Sequence, residues 1–219
     1  MKHSAIYGIA LIVGSVGGVV TMIFHPTGHD LLAPVDQIAR RNEMLAVAVH
    51  SLALASLPVT LFGFVGLSRR LGLDHAPVLA ALIVYAFGAV AVVCAAVASG
   101  LIAPILTRQI LTADESTRQP LSMIFMYNGL LNQGFAKVFV TASSVAVIFW
   151  SVSILKIGGF ARIVGLIGCV VGLVSLAAFF SGHLHLNVHG FGLFIFGQSA
   201  WAILLGVLLC RSNSSLRVA

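Results

Sequence analysis

The side chains best suited to chemistry in this chain are its histidines. There are eight among 219 residues, against only six Asp and Glu. Six of them gather in three short stretches. His25-Pro26-Thr27-Gly28-His29-Asp30 closes one apolar segment, His50 stands inside another, and His183-Leu184-His185-Leu186-Asn187-Val188-His189 opens a third. Imidazole suits Zn, Cu, Ni and Fe, and three imidazoles around an open position make a catalytic zinc arrangement. His50, His185 and His189 are the favoured ligand triad, with His25, His29 and His183 as alternates. His185 and His189 share a helix face, four residues apart, provided that their helix starts early enough.

Two carboxylates accompany them. Glu43 precedes His50 by seven residues, which puts both on one face of a helix. Glu43 and Asp30 are therefore the candidates for orienting a ligand or serving as general base. The expected cofactor is a transition metal, Zn ahead of Cu or Fe. Haem ranks below these, because His50 has no partner imidazole at its own depth. Lys137 lies one turn beyond Gln133 at the start of an apolar segment. Its simplest role is to snorkel to the interface; as a site residue it would hold a lipid phosphate or another anion near the histidines.

The elements that must position these groups are membrane helices. Hydrophobic residues make up 59% of the chain and charged ones 8%, with a mean hydropathy of +1.08. That excludes a water-soluble globule, a disordered chain and a disulfide scaffold. Apolar segments at 5–24, 44–67, 77–101, 134–155, 163–180 and 191–210 each supply about 27–37 Å of helix, enough for a ~30 Å hydrocarbon core. The reading is an all-α, polytopic six-transmembrane-helix bundle forming one domain over residues 1–219. Its first span is uncleaved rather than a signal peptide, because the apolar run is long and no small-residue cleavage site follows it.

Basic residues set the orientation. Lys2, Arg69, Arg70, Lys156, Arg162, Arg211 and Arg217 fall on one side, and Arg40, Arg41, Arg108 and Arg118 on the other. The larger set belongs in the cytoplasm, which gives an N-in, C-in topology. The six clustered histidines and five of the six acids then lie outside. The formal charge of +6 comes from residues scattered at span ends rather than from a basic run, so nucleic acid is not an expected partner. Membrane lipid is, together with a second copy of the chain or another membrane subunit. The expected location is the cell membrane, in the manner of a multi-pass bacterial inner-membrane protein. Cys94, Cys169 and Cys210 all lie in apolar segments, so neither a disulfide nor a cysteine metal site is expected.

Residues 104–133 form the one long connection, polar first and apolar later. Fused to the fourth span they would make a helix of roughly 52 Å, so an interfacial or re-entrant helical loop, broken near Gly129–Gly134, is the expectation. Gly14 with Gly18, and Gly168 with Gly172, form G-x-x-x-G pairs that favour close helix packing.

An intramembrane histidine combined with a later H-x-x-x-H is similar to the CREST superfamily of membrane hydrolases, which includes alkaline ceramidases. The matching residues are His50, His185 and His189, with Ser51 beside the first. The resemblance implies a zinc held by three histidines that activates water. Six spans instead of seven, the serine's place next to the histidine and the lack of a matching intramembrane Asp make this an analogy of sites rather than membership. The functional expectation is a metal-dependent hydrolase acting on a lipid or other amphiphile. The alternatives are a non-catalytic metal- or haem-binding protein and an accessory subunit.

Overall fold

A computed structural model describes residues 3–26 and 35–211, with side chains over 4–26 and 43–211. The described chain is helical and contains no strand. Its elements are α1 (His3–Ile23), α2 (Val35–Leu71), α3 (Ala76–Val97), a π-turn (Ala98–Ile102), α4 (Ala103–Thr112), α5 (Glu115–Leu155), α6 (Gly159–Phe180) and α7 (Val188–Arg211). Among the described residues, six helical stretches are long and apolar enough to cross a membrane. The chain is a multi-pass membrane protein of the all-α class, as its composition requires.

The spans pack as a ring in chain order: α1 on α2, α2 on α3, α3 on α5, α5 on α6, α6 on α7, and α7 back on α1. Contacts are far denser within the triplets α2–α1–α7 and α3–α5–α6 than at the α2/α3 and α6/α7 seams. Small residues explain the dense contacts. Gly8 and Gly206 lie against each other's backbone where α1 crosses α7, and Gly14 lies against Ser56 and Thr60 of α2. Gly165, Gly168 and Gly172 do the same for α6 on α5. The two G-x-x-x-G pairs are therefore packing surfaces, except that Gly18 is less tightly packed, with room for a Cβ in ordinary contact with Ile195 and Ser199.

Six spans put the start of α1 and the end of α7 at one end of the bundle, the terminal end; the other is the histidine end. The terminal half is solid. Phe64 of α2 stacks on Trp150 of α5 with ring centroids 4.5 Å apart and 8° between planes. Tyr85 and Trp201 flank it. Both indoles are fully buried and hydrogen-bonded: Trp150 Nε1 donates to Ser68 Oγ at 2.9 Å, and Trp201 Nε1 donates to the Val164 carbonyl at 3.1 Å. Below them Leu67, Leu71, Val78, Ile154, Leu205 and Leu209 complete the apolar core.

The connection at 104–133 is helical, but two expectations about it need correction. The third span does not stop at Leu101: it runs through the π-turn into α4, which begins around Pro104. Proline has no N–H for the carbonyl four residues back, and a π-turn absorbs that loss without ending the helix. Nor does α5 break at Gly129–Gly134. It is continuous for 41 residues, about 61 Å, so α4 and the start of α5 stand out from the histidine end as a helical hairpin. Two interior glycines cost only about 1 kcal/mol each. Against that loss, Asn128 Nδ2 donates to the Ala98 carbonyl and Gln133 Nε2 to the Leu186 carbonyl. Asp114 caps α5 by accepting from the Thr117 N–H at 2.8 Å.

Candidate functional site

The site at the histidine end is built around His50. It sits on α2 two turns inside the span and is only 8% exposed, as expected for an ionisable group that avoids lipid. Its Nδ1 lies 2.7 Å from the Ala46 carbonyl. A carbonyl only accepts, so Nδ1 carries a proton and Nε2 of the neutral ring is the acceptor. Nε2 lies 2.9 Å from Ser99 Oγ in the π-turn, which joins α2 to the third span across the α2/α3 seam. Ser99 Oγ is also 2.9 Å from the Ala95 carbonyl. One hydroxyl proton is therefore shared between an imidazole and a backbone acceptor. When His50 is protonated, the chain runs without conflict from imidazolium to Ser99 and on to Ala95.

Two neighbours hold this pair in place. Gly100 lies so close under the His50 ring that a Cβ would overlap its Cβ and Cγ. Asn128 of α5, 8% exposed, donates to the Ala98 carbonyl at 2.9 Å. That carbonyl belongs to the π-turn, where the ordinary helical pairing shifts by one residue. On the other side, His25 meets His50 edge to face at 5.1 Å between centroids. His25 Nδ1 donates to the Pro26 carbonyl at 3.3 Å. Burial pushes the His25 imidazole below its ordinary value near 6.5, and the Pro26 carbonyl opposes this in part.

The other predicted site residues are arranged differently from the expected triad. α7 starts at Val188, with Asn187 Oδ1 accepting from the Gly190 N–H at 2.9 Å as its cap. His185 thus precedes the helix, and the shared face with His189 does not form. His183, His185 and His189 are all exposed, and His183 Nδ1 pairs with Ser181 Oγ. Glu43 faces Arg108 of α4 at 3.6 Å, an ion pair at the rim. Lys137 is exposed on α5. His29 and Asp30 lie outside the described residues. Among the described residues, no group of three or more His, Cys, Asp or Glu side chains is placed to hold a metal ion.

Directly beneath the His25–His50–Ser99 cluster the bundle is hollow. A cavity of about 120 Å³ lies between α1, α2, α3, α5 and α7. Thr21 and Met22 line it one turn from His25, Ala53 one turn from His50, and Ala96 one turn from Ser99. Its floor is Phe64 and Tyr85, the top of the aromatic stack. Among the described residues, no charged one lines it. Thr21, Ser56, Thr60 and Ser143 on its wall donate to carbonyls of their own helices. Gln198 Nε2 is buried without a partner, and Ser15, Tyr85 and Ser199 add further hydroxyls to the lining.

Sequence reasoning did not find Ser99, Asn128, Gln198 or the cavity. Asn128 and Gln198 were the visible signals, as amides within apolar segments, each needing an internal partner. No known protein family, curated protein or solved structure matches the chain.

Proposed function

We propose that this membrane protein binds an uncharged amphiphile inside the bundle, taking it up from the histidine end. The carrying observation is the Gln198 amide nitrogen, buried and unpartnered on the wall of a hollow in an otherwise packed bundle. A buried polar group without a hydrogen bond is disfavoured by about 1–3 kcal/mol. A bound ligand or water relieves that penalty. Mostly apolar walls with a few convergent polar groups are the usual make-up of small-molecule pockets. The absence of charge on the walls favours a neutral ligand, since an unpaired buried ion is strongly disfavoured. The stack of Phe64, Trp150 and Trp201 closes the hollow towards the terminal end, which favours binding from one side over conduction through the ring.

The two tryptophans of the chain, Trp150 and Trp201, both pack against the cavity floor at Phe64. In lipid nanodiscs, a bromine-bearing amphiphile that enters the cavity is expected to quench them saturably. Gly18→Leu supplies the blocked control, because a Cβ there meets only Ile195 and Ser199 at 3.7 and 3.9 Å, and the larger side chain fills the hollow. Saturable quenching in the wild type that disappears in Gly18→Leu supports the reading. Quenching that never saturates, or that is identical in the variant, refutes it.

A further inference from the structure

The polar groups at the cavity mouth differ in what they have left to offer a ligand. His50 has both ring nitrogens engaged, by the Ala46 carbonyl and by Ser99. One amide hydrogen of Asn128 is committed to Ala98. Arg108 is drawn to Glu43, and Arg118 reaches back to the Ala113 carbonyl. His25 is different. Its Nδ1–H is used on the Pro26 carbonyl, so in the neutral ring Nε2 is a bare acceptor. Among the described residues that nitrogen has no hydrogen-bond partner. It lies at the end of α1, one turn beyond Thr21 and Met22 of the cavity wall.

An unengaged acceptor with no free cation beside it among the described residues selects a hydrogen-bond donor and disfavours an anion. We infer that the ligand is an amphiphilic alcohol, its chain in the cavity and its hydroxyl donating to His25 Nε2. A carboxylate or phosphate would bring acceptors to an acceptor and leave its charge unpaired among described residues. The hydroxyl oxygen in turn has lone pairs for water at the mouth. His50, held at 5.1 Å, fixes the plane of the His25 ring rather than binding the ligand itself. This assignment rests on the cavity reading above.

The test compares chain-brominated decanol with chain-brominated decanoate, by tryptophan quenching in nanodiscs at about pH 8, where histidine is neutral. The alcohol is expected to bind at least about tenfold more tightly than the carboxylate. His25→Phe keeps the ring against His50 but removes the acceptor, and is expected to abolish the preference. His25→Gln keeps an acceptor on a side chain of similar reach, and is expected to retain part of it. Equal binding of the two compounds by the wild type overturns the assignment while leaving the cavity reading intact. So does an alcohol preference that survives unchanged in His25→Phe. Absence of saturable quenching by either compound overturns the cavity reading and this assignment together.

Discussion

Ser99 Oγ lies 2.9 Å from His50 Nε2, across 49 residues of sequence, and this bond joins the two triplets of the helical ring at the histidine end. Removing the hydroxyl leaves a buried imidazole nitrogen without its partner. Ser99→Ala is expected to lower stability by about 1–3 kcal/mol, read as an earlier thermal unfolding transition in detergent. Ser99→Thr, which keeps the hydroxyl, is expected to lie near the wild type. If Ser99→Ala matches the wild type, the bond is not holding the seam.

Gly100 and His50 form a tight contact in which the glycine has no room for a methyl group. Gly100→Ala is expected to push the ring off Ser99 and destabilise the protein by about 1–3 kcal/mol, the usual range for overpacking. His50→Gly, which takes away the Cβ as well as the ring, removes the obstacle. The double variant His50→Gly/Gly100→Ala should therefore be no less stable than His50→Gly alone, a coupling that a double-mutant cycle measures directly. Simple additivity of the two effects would contradict the contact.

The unpartnered Gln198 amide predicts an opposition between stability and binding. Gln198→Leu replaces a buried unsatisfied group with an apolar one of similar size. Stability is expected to be unchanged or to rise by about 1 kcal/mol, while affinity for the quenching alcohol falls several-fold. A loss of stability with affinity unchanged would mean that the amide serves the fold rather than the cavity.

The pH dependence follows from His25. Burial holds its folded-state pKa below the ordinary value near 6.5, so the unfolded chain takes up this proton first as the pH falls. Its contribution to stability is complete above about pH 6.5 and is lost on acidification from there down through the lowered folded value. The unfolding temperature is expected to hold steady from about pH 8 to 7 and to decline below that window. His25→Phe should flatten part of the decline, and an unchanged slope in the variant would remove His25 as its source.

Asn128 offers a check on the π-turn. Asn128→Leu keeps the volume but removes the donor to the Ala98 carbonyl, at an expected loss of about 1–2 kcal/mol. Amide exchange in the π-turn and α4 should accelerate more than in α7. Uniform acceleration across the bundle would show that the bond has no local effect.

Much of this architecture was legible because membranes impose simple rules. Runs of twenty apolar residues announce spans, and His50, at its depth in such a run, had to face inward. The partner of His50 was not legible. Ser99 is an ordinary serine in a chain rich in small residues, and only the ring order and the π-turn bring it to the imidazole. The end of the third span was misplaced for a related reason: the apolar run stops at Leu101, whereas the helix shifts register in the π-turn and continues. Gly129 and Gly134 misled likewise, since their weak cost is outweighed by bonds from Asn128 and Gln133 to distant carbonyls. His185 and His189 fell out of register because Asn187, between them, is the better cap. The cavity left no signature beyond Gln198, because the Gly, Ala, Ser and Thr on its wall are those of any packed helix surface.

The backbone contact between Gly8 and Gly206 also has a bearing on biogenesis. Every other neighbouring pair in the ring is consecutive in the chain, so each hairpin can form as soon as its second span is inserted. The joint between α1 and α7 cannot, because it waits for the last span to be synthesised. Until then α1 presents one bare flank, and the wall carrying Gln198 and Ser199 does not exist. The hollow thus closes only once α7 is in place, and a chain shortened before α7 should insert in the membrane yet lack the proposed binding site.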